Sequence, residues 1–487
     1  MALLTDLYEV TMAYAYWKRE MAEDDAVFHL FFRKTPFGGG YAVSAGLESV
    51  IDYLQNWHFN TEDLDYLASV RTAEGESIFE EGFLRYLGEM KLSLDIHAVK
   101  EGDVIFPYEP LFRVKGSILQ AQLLETPLLT LFNFPTMIAT KAARVVSAAA
   151  GDEVLEFGMR RAQGIDGAMT ASRACYIGGC HATSNALAGK LLGIPVRGTH
   201  AHSWVMAFEN ELQSFQAYAE ELPHSCVFLV DTYDSIAGVK NAIKVGEWLR
   251  EQGRSFGGIR LDSGDIAYLS IQSRKLLDEA GFTDAKIVAS NELNEYLIRD
   301  LKAQNARVAT WGVGTNLVTG QDQGALDGVY KIGAFRKKGK KQWKYCLKFS
   351  ERMSKTSDPG ILQVTRFCHP RYGYIGDAVH DVETSMEKGC EIVDQLDPIR
   401  KKRFEPQLEM REMLVPIFTK GECVYKKPSL EEIRVYAAAE LSRFDSSIKR
   451  FSNPHSYPVG MEQSLYQKKL RLVESIKRKM RESSPHC

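Results

Sequence analysis

No apolar run in the 487 residues approaches the roughly 20 that a membrane-spanning helix needs. A bilayer-spanning function is thereby set aside. The stretch from Met1 to Glu9 carries neither the basic nor the apolar region of a secretory signal, so the expected location is cytoplasmic with no membrane partner. An excess of one charge is missing as well: 60 Lys and Arg stand against 63 Asp and Glu, for a formal net charge of −3. That balance leaves no electrostatic footprint for nucleic acid. The eight cysteines (Cys175, Cys180, Cys226, Cys346, Cys368, Cys390, Cys423 and Cys487) are scattered, with no CxxC pair and no zinc-like spacing. They are expected to be reduced and mostly structural, and no structural zinc is expected. Internal repeats and low-complexity linkers are also absent.

What remains is the composition of a soluble globular protein, 45% hydrophobic and 25% charged, in a chain long enough for two or three domains. Leu7, Val10, Tyr14 and Trp17 follow Thr5-Asp6 at helical spacing and predict an N-terminal helix over residues 4–18, with Tyr8 on it. Ala26 to Arg33 reads as a strand feeding the loop Lys34-Thr35-Pro36-Phe37-Gly38-Gly39-Gly40. From about residue 137 the pattern changes. Short apolar strands ending near residues 158, 230, 259, 289 and 310 alternate with helices predicted at 235–252, 265–281 and 292–304. Such alternation implies a parallel sheet. The expected fold is therefore α/β: an irregular, TIM-like α/β barrel with an α+β N-terminal domain completed by C-terminal segments. The expected boundaries are 1–136 plus about 355–430 for the α+β domain, 137–354 for the barrel and 431–487 for a C-terminal helical segment. Lys337-Lys338-Gly339-Lys340-Lys341 reads as a solvated hairpin tip, and Ser429-x-x-Glu432 as a capping box.

The carboxyl ends of these strands are unusually polar, which is where barrel enzymes build their sites. The apolar run Gly193-Ile194-Pro195-Val196 leads into Gly198-Thr199-His200-Ala201-His202-Ser203; other strands lead into Arg160, Asp231, Arg260-Leu261-Asp262-Ser263-Gly264-Asp265, Ser290-Asn291 and Gly312-Val313-Gly314-Thr315. Glycine backbones permit close approach of an anion, and arginine supplies a planar fork for phosphate or carboxylate. Asp231, Asp262 and Asp265 are suited to orienting a histidine, holding Mg²⁺ or facing a ribose. The endings thus describe a site for an anionic, phosphorylated substrate with Mg²⁺. A rival reading takes His200 and His202 as an H-x-H metal pair in a barrel hydrolase, but further ligands at later strand ends are not evident. His181 reads as a hydrogen-bonded loop histidine.

These motifs carry a resemblance. Thr5-Asp6-Leu7-Tyr8, Phe32-Arg33 with its glycine loop, Glu156-Phe157-Gly158-Met159-Arg160-Arg161, Ala182-Thr183-Ser184-Asn185, Gly198-Thr199-x-Ala201-His202-Ser203, Arg260 to Asp265 and Trp311 to Asn316 occur in order. Together with Pro454-His455-Ser456-Tyr457-Pro458, they resemble the nicotinate phosphoribosyltransferase family. The resemblance implies that nicotinate and phosphoribosyl pyrophosphate give nicotinate mononucleotide and pyrophosphate in NAD biosynthesis. It also implies coupling to ATP as co-substrate through a phosphorylated His202, with Mg²⁺. The implied catalytic set is His202, Asp231, Arg260 and Asp262, with Asp231 on the second ring nitrogen of His202 and Asp262 facing ribose or metal. Nicotinate would lie between Phe157 and Tyr8, beside Arg160, Arg260 and Ser184. Because Tyr8 would come from a second copy, a homodimer with shared sites is implied. Thr199, Ser290, Asn291, Gly312, Gly314 and Thr315 would contact the phosphoribosyl group. Nicotinamide phosphoribosyltransferases are the near alternative; they carry an aspartate where Ser184 stands here, and a hydroxyl suits a carboxylate better than a second carboxylate does. His200 receives no role from the resemblance.

Overall fold

The computed structural model describes residues 2–224, 226–350, 352 and 355–483. Cys487 and the expected boundary at residue 354 lie outside them. The chain divides into two compact units, Met137–Gly324 and Met1–Thr136 with Ala325–Cys487.

In the unit Met137–Gly324 six strands form one sheet: β1 (Glu153–Glu156), β2 (Ala182–Thr183), β3 (Val227–Leu229), β4 (Gly258–Leu261), β5 (Lys286–Ala289) and β6 (Thr310–Val313). Their order is β2-β1-β6-β5-β4-β3 and every pairing is parallel. Among the described residues no pairing joins β2 to β3. The sheet is therefore a half-barrel, open between β2 and β3, where the alternation had led to the expectation of an irregular, TIM-like barrel.

The reason lies in residues 193–208. The apolar run ending in Val196 makes a single parallel bridge, Thr183 to Val196, instead of a strand. Pro195 has no N–H to donate to a ladder, and the chain then turns through Gly198 into a short helix, α3.

Among the described residues the strands are accompanied by the second half of the helix Glu125–Ala149 and by α1 (Gly164–Ile177), α2 (Ala186–Leu192), α3 (His202–Met206), α4 (Glu211–Glu221), α5 (Ser235–Glu251), α6 (Ile266–Glu279), α7 (Glu295–Ala303) and α8 (Thr315–Val318). Side-chain caps set the starts of α2 and of α4 to α7. Asp234 accepts from Ala237 N–H at 2.7 Å, Asp265 from Tyr268 N–H at 2.9 Å, and Asn294 from both Tyr296 and Leu297 N–H. Behind each cap runs an apolar stripe, such as Val239, Ala242, Val245 and Leu249 of α5, which is buried. Gly258 opens β4 at φ +137°, where a Cβ would lie 1.9 Å from the Lys286 carbonyl oxygen. Only glycine lets β4 and β5 pair there.

The other unit holds a seven-stranded antiparallel sheet in the order 344–345, 328–336, 25–32, 112–117, 95–98, 415–419, 422–423. Asp25–Phe32 pairs on both sides and is buried along almost its whole length. Because Gly328–Arg336 pairs with it, residues 325 onward belong to this unit, thirty positions before the division expected near 354. A second sheet of six strands follows, in the order 401–404, 390–393, 459–462, 373–381, 362–369, 409–412. The basic turn is the exposed tip between the paired strands 328–336 and 344–345. The capping box is present: Ser429 and Glu432 bond each other's backbone at the start of Leu430–Ser442. Leu7–Lys18 is helical, but Asp6 makes no capping bond; its carboxylate accepts from the Thr126 hydroxyl instead, and Leu7 is exposed.

Candidate active site

At the carboxyl ends of β1, β2 and β4 lies a cavity of about 400 Å³ lined by Phe157, Met159, Arg160, Ser184, Gly198, Thr199, His200, Ala201 and Arg260. Five of the expected residues meet here: Phe157, Arg160, Ser184, Thr199 and Arg260. Arg260, the third residue of β4, organises the floor by using each face of its fork. Its Nε donates to Ser290 Oγ at 2.8 Å, Nη1 to Thr199 Oγ1 at 3.0 Å and Nη2 to Asp262 Oδ1 at 2.8 Å. The guanidinium also stands 5.5 Å from the centroid of the Phe157 ring, within cation–π range. Three strand ends, those of β1, β4 and β5, and the loop bearing Thr199 thereby meet at one cation.

Asp262 is shaped by this network. Burial alone would raise its carboxyl, but the hydrogen bond from Ser290 and the charge of Arg260 hold it below the usual carboxylate range. It is ionised at neutral pH.

The two histidines part company. His202 opens α3 and remains partly exposed; its Nδ1 lies 3.1 Å from Thr232 Oγ1 and its Nε2 3.8 Å from Asp262 Oδ2. Asp231 does not hold His202 in this arrangement. Its Oδ2 accepts from the Asp262 backbone N–H at 2.8 Å and from Ser263 Oγ at 2.6 Å, while its Oδ1 is buried without a hydrogen-bond partner. The physical reason is that the β4 loop supplies two donors closer to Asp231 than the imidazole. Thr232 and Ser263 are thus members of the network that residue chemistry alone had not singled out.

His200 is buried among Phe215, Tyr218 and Phe228, and its Nε2 accepts from Leu229 N–H at 3.2 Å. It pins the incoming loop to β3. Burial lowers its pKa to about 4, so the ring is neutral at physiological pH. Between pH 6.5 and 4 the unfolded chain takes up a proton at this ring and the folded chain does not, so stability falls as pH falls through that window. The same direction holds for buried His29, whose pKa is lowered to about 3. His200→Gln, which keeps an acceptor but cannot titrate, is expected to give a shallower decline in urea midpoint from pH 6.5 to 4 than the parent protein.

An engaged, buried His200 also removes the H-x-H metal pair. Among the described residues no group of three or more His, Cys, Asp or Glu side chains could hold a metal ion. Among the described residues no disulfide joins the seven cysteines. His181 ties loop to strand as anticipated, its Nδ1 accepting from Val154 N–H at 3.1 Å.

Several expected contributors sit elsewhere or act differently. Asp265 is the α6 cap rather than a site residue. Gly312 packs against Phe157: a Cβ there would meet the ring at 2.6 Å, so the missing side chain makes room for an aromatic face. Gly314 is the N-terminal flank of α8, and Thr315 begins that helix. Asn291 is exposed at φ +103°, a strained setting for a side-chain residue, and does not line the cavity. Tyr8 belongs to the other unit, half exposed on Leu7–Lys18, where burial and then Glu9 and Glu125 push its hydroxyl up to about 12.

A parallel α/β unit with an arginine-centred cavity at its strand ends places the chain in the class of α/β enzymes whose strand ends suit an anionic substrate. Three family descriptions match in succession: the nicotinate phosphoribosyltransferase N-terminal domain over residues 3–133, the nicotinate phosphoribosyltransferase family over 153–359 and its C-terminal domain over 362–469. The chain belongs to the nicotinate phosphoribosyltransferase family. It is 42% identical over 489 residues to nicotinate phosphoribosyltransferase of Bacillus subtilis (strain 168), covering 99% of this chain and 97% of that protein. With the Homo sapiens nicotinate phosphoribosyltransferase it shares 32% identity over 525 residues, covering 95% of each. The crystal structure of the human nicotinic acid phosphoribosyltransferase superposes with a TM-score of 0.83 at 29% identity, covering 96% of this chain and 99% of that one. No described helix is long and apolar enough to cross a membrane.

Proposed function

We propose that this protein joins nicotinate to phosphoribosyl pyrophosphate, giving nicotinate mononucleotide and pyrophosphate for NAD biosynthesis. The observation that carries the reading is the Arg260 fork, which joins Thr199, Ser290 and Asp262 beside the Phe157 ring. An aromatic face and a fixed guanidinium suit a planar, anionic pyridine carboxylate. Phe157 stacks on one face of that ring and Arg160 and Ser184 face its carboxylate; the Tyr8 of a second copy closes the other face, which makes the working form a homodimer in the cytoplasm. The ring nitrogen is itself the nucleophile, so no strong general base is required. Charge develops on the ribosyl carbon and on the departing pyrophosphate, and preorganised electrostatics supplies the main catalytic effect. Thr199 and Ser290 hold the ribose phosphate, with Gly312, Gly314 and Thr315 at the 5′-phosphate.

Mg²⁺ fits the residues present. Asp262 is held ionised, its Oδ2 has no partner closer than His202 at 3.8 Å, and one carboxylate plus substrate phosphates is the usual magnesium environment. When bound there, Mg²⁺ neutralises charge on the leaving pyrophosphate. His202 accepts a phosphoryl group from ATP, and the unpartnered Oδ1 of Asp231 supports a role for that carboxylate in receiving the ring.

The test is substrate choice. Purified protein is expected to form the mononucleotide from nicotinate, faster with ATP, and to turn over nicotinamide poorly; product from nicotinamide but not nicotinate would overturn the reading.

A further inference from the structure

Glu156, the last residue of β1, is a wholly buried carboxylate standing directly behind the cavity. A buried charge is costly unless hydrogen bonds satisfy it, so the placement of its donors is informative. Oε1 accepts from Gly158 N–H, inside the turn that presents Phe157, Met159 and Arg160. Oε2 accepts from Thr183 Oγ1 at 2.5 Å and lies 3.0 Å from Ser172 Oγ on α1. Thr183 Oγ1 accepts in turn from Asn185 N–H at 2.9 Å, and Asn185 Nδ2 donates to Ser172 Oγ at 3.2 Å. The Glu156 carbonyl accepts from Ser184 N–H at 2.9 Å. One residue therefore grips both turns: the one bearing Phe157 and Arg160, and the one bearing Ser184.

We propose that Glu156 is a positioning residue for the pyridine subsite, its buried carboxylate fixing the spacing between the Phe157 turn and the Ser184 turn. The inference rests on the function proposed above. Glu156 itself has no path to substrate. Its effect is transmitted through two loops whose backbone amide and hydroxyl it holds in register, and displacement by a fraction of an ångström weakens the grip on the pyridine ring. A neutral amide in its place presents an NH₂ where Oε2 now accepts from hydroxyls. Those hydroxyls must reverse, while Thr183 Oγ1 is already accepting from Asn185.

Glu156→Gln is expected to raise the KM for nicotinate by about tenfold, with kcat at saturation and the KM for phosphoribosyl pyrophosphate each changed by less than about threefold. Thr183→Val, nearly isosteric, is expected to act in the same direction, and the double variant is expected to be no worse than Glu156→Gln, because both break one network. Amide hydrogen exchange should quicken in the segments 157–161 and 183–186, a readout that needs no substrate. An unchanged KM for nicotinate in Thr183→Val overturns the proposal, as does a proportional loss in both KM values and kcat; should Glu156→Gln not fold, Thr183→Val decides alone. Failure of the parent protein to use nicotinate would instead sink the proposed function, while the exchange measurement still decides whether Glu156 clamps the turns.

Discussion

Replacing Arg260 by lysine is expected to lower kcat/KM for nicotinate by about 10²- to 10³-fold, the range found when one preorganised donor is removed from a charge-stabilising site. The side chain is mostly buried and serves three acceptors from three different nitrogens: Ser290 Oγ, Thr199 Oγ1 and Asp262 Oδ1. A lysine carries one nitrogen on a flexible stem. It can satisfy one or two of these acceptors, but it cannot hold a flat face against the Phe157 ring while doing so. Asp262 would then lose the guanidinium hydrogen bond that helps keep its carboxyl low, and Ser290 and Thr199 would be free to turn. Lysine does preserve the positive charge. A loss smaller than about tenfold would therefore mean that charge alone, and not the planar fork, carries the site. The melting temperature should move little, because these contacts lie at strand ends rather than in the apolar core.

How much of this was legible follows the distance between the residues involved. The helices at 235–251, 266–279 and 295–303 were readable because caps and apolar stripes are local signals, set within a few positions of one another. The polar strand ends were readable too, yet they mixed two purposes: Asp234 and Asp265 cap helices, whereas Arg260 and Asp262 build the cavity floor. Chemistry of residue type does not separate them. Only the fold brings Asp231 to the Asp262 amide, His202 to Thr232 and Glu156 to Thr183, pairs separated by 31, 30 and 27 positions. The sheet stays open at a single stretch, residues 193–196, which makes one bridge to β2 and then turns away before any pairing with β3. Gly312 carries a second signal that residue type does not announce: its bare α-carbon accommodates the Phe157 ring.

His202→Ala is expected to abolish acid-labile phosphate incorporation from ATP and to make turnover equal with and without ATP, whereas His200→Ala retains both responses. The two rings differ in every property that matters to a phosphoryl acceptor. His202 is about 40% exposed, with Thr232 on Nδ1 and Asp262 near Nε2, so the ring is oriented while a donor can still reach it. His200 is about 7% exposed, walled by three aromatic rings, and its Nε2 is occupied by the Leu229 amide. A phosphoryl group on His200 would bury about two negative charges among aromatic side chains, which desolvation forbids. On His202 the same group would stand at the rim, beside Asp262, which Arg260 also bonds. Thr232→Val separates orientation from chemistry: it removes the Nδ1 partner without removing the nucleophile, so phosphate incorporation should slow but persist. Incorporation that survives His202→Ala and disappears in His200→Ala would reverse the assignment of the pair.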